Sequence, residues 1–282
     1  MKRFHRFLAV LARESQPASK GEHRQALPWT LRTRLVGLLS RFNLRRGLPA
    51  GIVVEVSTGC NRRCAYCPQS VSPAKQRIMD PAVWQCFIGR LREAGLNCFV
   101  NLTLFNELGL VPSSWAYVRD VARAGYWPRI YTNGDFPDAI KTWLAEGARQ
   151  ICITEHAPRK EGLRRAQPSG WRAALADVEQ SPYVKIRRLA QIDNRAGWVH
   201  APGWEAKTCC YFPDWLHVRV DGSVSLCCLD YRPGLSFGQI QTQSLVEIFQ
   251  SPDYHSARAL VKAGKPAMLL CDRCLATNKG TR

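Results

Sequence analysis

The stretch "GIVVEVSTGCNRRCAYCPQ", residues 51–69, decides the fold, because a strand-like run leads directly into a polar, basic loop that holds three cysteines. The run is rich in β-branched residues and predicts a strand. Cys60, Cys64 and Cys67 follow it, with three and then two residues between them. Three thiols make an odd set, because a tetrahedral zinc site or an ordinary iron–sulfur cubane has four ligands. The spacing therefore predicts a metal centre with three cysteine ligands, and its fourth ligand is not among the residues of this loop.

Strand-like and helix-like segments alternate beyond this loop. The predicted strands span residues 51–57, 97–105, 128–134, 149–156 and 183–192, and the predicted helices span residues 81–95, 113–125, 137–148 and 170–181. Such alternation predicts a parallel sheet that is closed or partly closed into a barrel. The chemistry of these barrels lies at the carboxyl ends of the strands, which is where the three cysteines are expected.

The pattern changes after Asn194. The segment "WLHVRVDGSVSLCCLD", residues 215–230, predicts a hairpin that turns at Asp221 and Gly222. The segment "SLVEIFQSPDYHSARALVKAG" then predicts two helices separated by a break. We place a domain boundary near residue 195. The chain then divides into an N-terminal extension at 1–50, a barrel at 51–195 and a cysteine-bearing domain at 196–282.

The composition is that of a globular protein, with 46% hydrophobic and 10% aromatic residues in a chain of 282. No run approaches the roughly 18 to 20 apolar residues that a membrane span requires. The start "MKRFHRFLAVLA" contains too short an apolar stretch for a secretory signal peptide. We therefore expect a cytoplasmic protein without a membrane span.

Positive charge is concentrated in the N-terminal extension. Residues 1–50 carry a net charge of +9, half of the +18 of the whole chain. Such an arm can bind nucleic acid, anionic lipid or an acidic partner. The simpler interpretation is a solvated extension that ends in an amphipathic helix, "WTLRTRLVGLLSRF", packed on the body of the protein. The absence of an aromatic RNA-binding motif or a Cys/His finger argues against nucleic acid.

The chain contains twelve cysteines, a number that would suggest disulfides in a secreted protein. Without an export signal, grouped cysteines bind metal more often than they form disulfides. Cys86, Cys98 and Cys152 stand inside predicted helices or strands, and we interpret them as small buried hydrophobes. The remaining nine form two groups, the loop near residue 60 and three pairs after residue 208.

The first group resembles the CxxxCx(aromatic)C signature of the radical S-adenosylmethionine enzymes, with Tyr66 as the aromatic residue. The resemblance implies that Cys60, Cys64 and Cys67 hold a 4Fe–4S cluster whose fourth iron binds S-adenosylmethionine. It also implies a reducing partner such as flavodoxin or ferredoxin, and cleavage of the cofactor to methionine and a 5′-deoxyadenosyl radical that abstracts hydrogen. The alternative, a zinc site, needs a nearby fourth ligand, and the next cysteine, Cys86, lies in a predicted helix.

The resemblance extends over most of residues 51–195 and implies further site residues. "LFNELGL" stands where the family often has Gly-Gly-Glu-Pro; it keeps the Glu, while Phe, Asn and Leu replace the other residues. "YTNGD" resembles the family's third-strand Thr-Asn-Gly, although a plain turn explains the Asn-Gly pair equally well. The residues implied to contact S-adenosylmethionine are Tyr66, Asn106, Glu107, Thr132, Asn133 and Thr154, with Gly134 in the site wall. The weaker substrate candidates are His156, Asn194 and Arg195.

The second group of cysteines resembles the SPASM domain and its shorter relative, the twitch domain. The resemblance implies one auxiliary 4Fe–4S cluster held by Cys209, Cys227, Cys271 and Cys274, with Cys210 as an alternative to Cys209. We prefer Cys227 to Cys228 for its spacing from the hairpin glycine, and because adjacent residues of a strand face opposite sides. A structural zinc ion on the same cysteines is the alternative. The expected fold is an α/β, partial (β/α)6 radical S-adenosylmethionine barrel with a small hairpin-plus-helix twitch/SPASM-like domain.

These features support an oxidoreductase that abstracts hydrogen from a small polar substrate, such as a sugar or an aminocyclitol. The auxiliary cluster would accept the second electron, since cluster potentials span a wide range. An alternative is the crosslinking, oxidation or epimerisation of a ribosomal peptide, in which Cys228 or Cys210 could return a hydrogen atom. RNA modification and a zinc-stabilised binding protein without catalysis are the remaining alternatives.

Overall fold

The computed structural model describes residues 29–155, 170–188, 193–199, 201, 213–232 and 234–275. A seven-stranded sheet in the order β5-β4-β3-β2-β1-β6-β7 forms its centre. The strands are β1 (Gly51–Val54), β2 (Phe99–Asn101), β3 (Trp127–Thr132), β4 (Gln150–Glu155), β5 (Val184–Arg188), β6 (Trp215–Val218) and β7 (Val224–Ser225). Six strands are parallel, and only β7 runs antiparallel to its neighbour. The predicted α/β class with a largely parallel sheet is confirmed.

Nine helices accompany the sheet in the part of the chain that the structure describes. They are α1 (Trp29–Arg45), α2 (Pro81–Ala94), α3 (Ser114–Arg123), α4 (Pro137–Ala145), α5 (Trp171–Ala174), α6 (Ala176–Glu179), α7 (Leu245–Gln250), α8 (Pro252–Lys262) and α9 (Leu269–Leu275). Local sequence explains their ends. Asp80 caps the amide of Ala82 at the start of α2, and Gly95 ends that helix with a φ of 57°.

Most predicted elements are present with shorter bounds than the sequence indicated. The helix expected at 170–181 is divided into α5 and α6 at Leu175. The break expected between the two helices after residue 244 is Ser251, which ends α7 and caps α8. The sequence analysis did not predict α9, which carries Cys271 and Cys274.

The hairpin strand β6 continues the main sheet. It pairs in parallel with β1, in a register that places Gly51 opposite Trp215 and Val54 opposite Val218. The hairpin therefore lies beside the strand that leads into the cysteine loop, although 1–50, 51–195 and 196–282 were predicted as separate units. The boundary near residue 195 falls within the described segment 193–199 and stays a prediction.

The two faces of the sheet differ in character because side chains alternate along each strand. One face packs into the main core with the helices. Its strand residues include Ile52, Val54, Val100, Ile130, Ile151, Ile153, Val184, Leu216 and Val218. The opposite face, which we call the polar face, carries Asn101, Thr103, Arg129, Tyr131, Gln150, Cys152, Thr154, Lys185, Arg187 and His217.

Helix α1 packs on the polar face at the amino ends of its strands. Leu35, Val36 and Leu39 of α1 form a small buried cluster with Phe99 and Trp127. The amphipathic helix expected at the end of the basic extension is thus present and packs on the body. The structure contains no described helix with the length and hydropathy needed to cross a bilayer.

The three cysteines expected in the core do not all behave alike. Cys98 and Cys152 are buried, as predicted. Cys86 is only half-buried in α2, and its thiol donates to the carbonyl of Ile240 at 3.3 Å. It therefore contributes to the contact between α2 and the loop that precedes α7.

Candidate functional site

The loop with Cys60, Cys64 and Cys67 follows β1 at the carboxyl edge of the sheet. All three thiols are half-buried, and the amide of Cys67 donates to the carbonyl of Cys64 at 2.9 Å. Burial raises the pKa of Cys60 to about 12, and the neighbouring Cys67 and Cys64 contribute to the rise. Burial also raises the pKa of Cys67, to about 11. These thiols stay protonated at neutral pH until a metal replaces the protons.

The donor set fits an iron–sulfur cluster by its chemistry. Thiolates are the usual ligands of such clusters, and the three cysteines are close enough to influence one another electrostatically. In the described ranges, no three His, Cys, Asp or Glu side chains already stand at metal-binding distance.

An ion pair fixes the cysteine loop to the segment after β3. Arg62 binds Asp135 in a two-pronged manner, with Nε donating to Oδ2 at 2.7 Å and the second prong joining Nη2 to Oδ1. Asn61 donates to the same carboxylate at 2.8 Å and accepts from Asn133 Nδ2 at 2.8 Å. Sequence analysis missed Arg62 and Asp135, although Asp135 directly follows the Thr-Asn-Gly segment.

Glu107 connects three parts of the site. Its Oε1 accepts from Thr132 Oγ1 at 2.7 Å and its Oε2 accepts from the amide of Asn133 at 2.9 Å. Its own amide donates to the carbonyl of Gly59, beside the first cysteine, at 2.8 Å. Burial raises the pKa of Glu107, and these hydrogen bonds oppose the rise. The structure thus brings Glu107, Thr132 and Asn133 together, while their contact with a cofactor stays a prediction.

The other cofactor candidates occupy different positions around this edge. Asn106 is buried; its amide group donates to Ser57 Oγ at 3.2 Å, and its oxygen accepts from the amide of Leu104 at 2.8 Å. Tyr66 is half-buried and hydrogen-bonds to Cys64 through its hydroxyl. Thr154 lies near the end of β4, away from the cysteine loop in sheet order. Asn106 therefore holds the loop after β2, and Tyr66 lies against the thiols.

Asn194 and Arg195 bridge the two cysteine groups. Arg195 Nε donates to the carbonyl of Tyr66 at 3.2 Å, and its Nη1 lies 3.2 Å from Asp193 Oδ2. Asn194 Nδ2 donates to the carbonyl of Arg273, between the last two cysteines, at 3.0 Å. These two substrate candidates have structural contacts. The third, His156, lies outside the described residues.

Three of the C-terminal cysteines, Cys227, Cys271 and Cys274, lie on neighbouring elements. Cys271 and Cys274 lie three residues apart on α9, which places them on the same face of the helix. Burial raises the pKa of Cys271, with a further contribution from nearby Cys227. Cys209 and Cys210 lie outside the described residues. Three of the four predicted auxiliary ligands are therefore on neighbouring elements.

The expectation that Cys227 and Cys228 lie on opposite faces of a strand, which favoured Cys227 as the ligand, was wrong. Strand β7 ends at Ser225, so Cys227 and Cys228 lie in the following turn rather than on opposite faces of a strand. Their side chains hydrogen-bond to each other, and this contact together with burial raises the pKa of Cys227. The preference for Cys227 as a ligand then rests on its spacing and on its proximity to Cys271.

A buried polar cluster, not predicted from the sequence, lies at the carboxyl ends of β1 and β6. Glu55, His217, Arg219 and Asp230 are each at most 4% exposed. Arg219 Nη2 lies 3.3 Å from Glu55 Oε2. Among described atoms, both ring nitrogens of His217, Asp230 Oδ2, and Arg219 Nε and Nη1 have no hydrogen-bond partner. Such atoms require a bound polar molecule, either water or a hydroxyl-bearing ligand. The sequence signal for this cluster was the pair His217 and Arg219, which are two residues apart and therefore expected on the same face of the strand.

Tyr231 packs between the two cysteine groups. Its ring meets Phe105 and Trp198 edge-on, with centroid distances of 5.1 and 5.4 Å. Its hydroxyl donates to the carbonyl of Ser72, after the first cysteine loop, at 2.7 Å. Its carbonyl accepts from Arg219 at 3.3 Å. These contacts connect the segment after Cys228 to the segments around Ser72 and Phe105.

Comparisons with known proteins agree with this geometry. The SPASM family model, described as an iron-sulfur cluster-binding domain, matches residues 209–275. The chain is 30% identical over 234 residues to the S-adenosyl-L-methionine-dependent 2-deoxy-scyllo-inosamine dehydrogenase of Niallia circulans, across 79% of this chain and 91% of that protein.

Two solved structures resemble the fold of this chain. The crystal structure of BtrN in complex with AdoMet and 2-DOIA is 26% identical, with a TM-score of 0.69, and the match covers 82% of this chain and 94% of that chain. The structure of anSMEcpe with bound AdoMet is 15% identical, with a TM-score of 0.54, over 75% of this chain and 80% of that chain. The second resemblance concerns the fold alone.

Proposed function

The chain belongs to the radical S-adenosylmethionine enzymes that carry a C-terminal SPASM iron–sulfur domain, and from that premise we propose that it dehydrogenates a small polyhydroxylated molecule. The observation that carries the proposal is the match to a dehydrogenase of 2-deoxy-scyllo-inosamine over 91% of that protein's length. The substrate class that follows is a sugar or an aminocyclitol, and the reaction converts a secondary alcohol to a ketone.

We assign the two cofactor sites to the two cysteine groups. Cys60, Cys64 and Cys67 would hold the 4Fe–4S cluster that binds S-adenosylmethionine, and Cys227, Cys271 and Cys274 would hold the auxiliary cluster. Cys209 would complete the second set, and the SPASM match begins at this residue. When bound, the first cluster with S-adenosylmethionine supplies the radical that takes a hydrogen atom, and the auxiliary cluster supplies an acceptor for the second electron.

The described side chains support this chemistry by positioning. The Arg62–Asp135 pair and the Glu107 hydrogen bonds hold the cysteine loop against the end of β3. Arg195 holds the backbone of Tyr66, and the Tyr231 ring packs against Phe105 and Trp198. Rigid support of this kind sets the distances over which hydrogen and electrons move.

We further propose an acidic electron donor such as flavodoxin or ferredoxin, since the net charge of +18 favours acidic partners. Cys60, Cys64 and Cys67 are free thiols, which suits a reducing compartment such as the cytoplasm.

The first experiment is anaerobic iron and sulfide analysis of the intact protein and of a variant with Cys60, Cys64 and Cys67 changed to Ala. We expect about eight irons in the intact protein and about four in the variant, the content of one cubane. About four irons falling to none would contradict an auxiliary cluster on the C-terminal cysteines.

The substrate class is tested with the loaded enzyme and reductant. We expect 2-deoxy-scyllo-inosamine or a related cyclitol to stimulate formation of 5′-deoxyadenosine and methionine. One molecule of ketone product should form for each molecule of S-adenosylmethionine that is cleaved. Stimulation by peptides and by no cyclitol or sugar would overturn the proposal in favour of peptide modification.

A further inference from the structure

Three cations share the polar face of the sheet and form what we call the basic patch: Arg129 on β3, and Lys185 and Arg187 on β5. Strand alternation sets this orientation, because the adjacent Ile130 and Ile186 belong to or pack against the main apolar core. The three cations therefore project from the same side of the sheet, on strands separated only by β4.

The strand register brings the basic patch together. Cys152 of β4 pairs with Tyr131 on one side and with Lys185 on the other, and Thr154 pairs with Arg187. Arg129 pairs with Gln150, two residues before Cys152 on β4. Since neighbouring strands lie about 4.8 Å apart, β3 and β5 are about 10 Å apart, a gap that long arginine and lysine side chains can span. The electrostatic influence of the arginines agrees with this geometry, since both lower the pKa values of Tyr131 and Cys152 against the rise caused by burial.

The basic patch has no acidic counterpart among the described residues. Four carboxylates at this edge are engaged by other cations, in the pairs Asp135–Arg62, Asp193–Arg195 and Glu55–Arg219, and in Glu155 with Arg172 and Arg188. Two more are buried elsewhere: Glu107 accepts from Thr132 and Asn133, and Asp230 lies in the cluster around His217. No described ion pair includes Arg129, Lys185 or Arg187. Three positive charges thus face the space above the sheet without a described counter-charge.

Protection of a sheet edge accounts for only part of this arrangement. Lys and Arg commonly guard exposed edge strands, and β5 is the last strand on its side of the described sheet. Arg129 lies two strands further in, where its guanidinium is 3.9 Å from the ring centroid of Phe99 and 5.4 Å from that of Trp215, two contacts that leave its charge unneutralised. Its Nε has no described hydrogen-bond partner. A half-buried cation away from the edge favours a bound anion.

We propose that the basic patch binds a phosphate group of the substrate, so that the enzyme oxidises a phosphorylated cyclitol or sugar. This inference rests on the proposed function, and it narrows the substrate class within it. A phosphate monoester carries nearly two negative charges and three acceptor oxygens at neutral pH, which matches three cations better than a carboxylate does. A free ammonium group at the same position is repelled.

The test compares ligands that share one ring but differ in charge. Isothermal titration of the cluster-loaded, S-adenosylmethionine-bound protein would use myo-inositol 1-phosphate, myo-inositol, 2-deoxy-scyllo-inosamine and inorganic phosphate. We expect the inositol phosphate to bind at least about tenfold more tightly than either uncharged inositol or the amine, because charged hydrogen bonds are the strong ones. Inorganic phosphate should compete with the inositol phosphate.

Two neighbouring arginines supply the variant and its control. Arg187→Gln removes one cation of the basic patch from an exposed position, where folding is not at risk. Arg188→Gln removes another exposed arginine, which pairs with Glu155 and lies on the other face of the strand. We expect Arg187→Gln to weaken binding of both phosphate ligands about tenfold or more, and Arg188→Gln to leave it unchanged.

The outcomes separate this inference from the proposed function. Equal affinity for the three ring ligands, no binding of inorganic phosphate, or equal effects of the two variants would each overturn the basic patch as a phosphate site. Conversion of 2-deoxy-scyllo-inosamine to its ketone without any preference for phosphate would retain the proposed function alone. Phosphate binding that Arg187→Gln weakens, in a protein that oxidises no cyclitol or sugar, would retain the patch and overturn the proposed function.

Discussion

Glu107 contacts the cysteine loop through its main-chain amide, and its buried carboxylate joins the loop after β2 to the end of β3. In Glu107→Gln, the new amide group would face the backbone amide of Asn133, donor against donor. We expect the free energy of unfolding to fall by about 1–3 kcal/mol, the usual cost of an unsatisfied buried group. Anaerobic denaturant titration measures the change. The exposed Glu93→Gln is the control, and an equal effect of both variants would contradict the role of Glu107.

His217 predicts a pH dependence of stability. Burial and Arg219 lower its pKa from 6.5 to about 3, so the unfolded chain takes up a proton before the folded chain does. The stabilisation that neutral His217 gives the folded protein is complete above pH 6.5, the pKa of histidine in the unfolded chain. It is lost as the pH falls towards about 3, the pKa of His217 in the folded chain. Between pH 7 and pH 5, we expect the native protein to lose about 2 kcal/mol more than His217→Gln. Parallel curves from denaturant titrations at the two pH values would refute this assignment.

At the scale of secondary-structure elements, the loop that precedes α4 controls the geometry of the first cysteine loop. Gly134 has a φ of 77°, and a Cβ there would lie 2.8 Å from Ile153 Cγ2. This tight turn places Asp135 where it can bind Arg62, which is 3% exposed. The Asn-Gly pair is therefore more than a generic turn signal in this chain.

Removal of the Arg62–Asp135 ion pair should weaken the binding of the cluster by the first cysteine loop. In Asp135→Asn, buried Arg62 loses its counter-charge and the cysteine loop loses its main anchor. We expect iron after anaerobic reconstitution to fall from about eight towards about four per chain, because one cubane is lost. The exposed Asp138→Asn, in the first turn of α4, is the matched control. Full iron content in both variants would show that the loop holds its cluster without this pair.

Several elements were predictable from local sequence, and others were not. The cysteine spacing and the Thr-Asn-Gly segment located residues that do meet at one edge, because each follows a strand of a parallel sheet. The Arg62–Asp135 pair joins residues 73 positions apart, so no local pattern announces it. Helix α9 is only seven residues long and carries two cysteines, so its sequence is too short to show the periodicity that predicts a helix. The buried cluster around His217 depends on which face of β6 turns inward.

At the scale of the whole molecule, Tyr231 links the two cysteine groups. It contacts Phe105, Trp198, Ser72 and Arg219. We expect Tyr231→Ala to reduce iron at both sites, because the loss of a packed aromatic ring leaves a cavity between them. Tyr231→Phe keeps the ring and loses one hydrogen bond, so it should retain both clusters and cost about 1 kcal/mol. Iron loss confined to one site in Tyr231→Ala would mean that the groups are held independently.

The pairing of β1 with β6 also has a consequence for synthesis of the protein. The contact between Glu55 and Val220, just past these strands, spans 165 residues. At about 5–20 residues per second, the ribosome needs roughly ten to thirty seconds to deliver β6 after β1. During that time β1 has one open edge, and contacts of such long range slow folding. The nascent chain therefore carries this edge unpaired until β6 is synthesised, and the segment after the cysteine loop gains its hydrogen bond from Tyr231 later still.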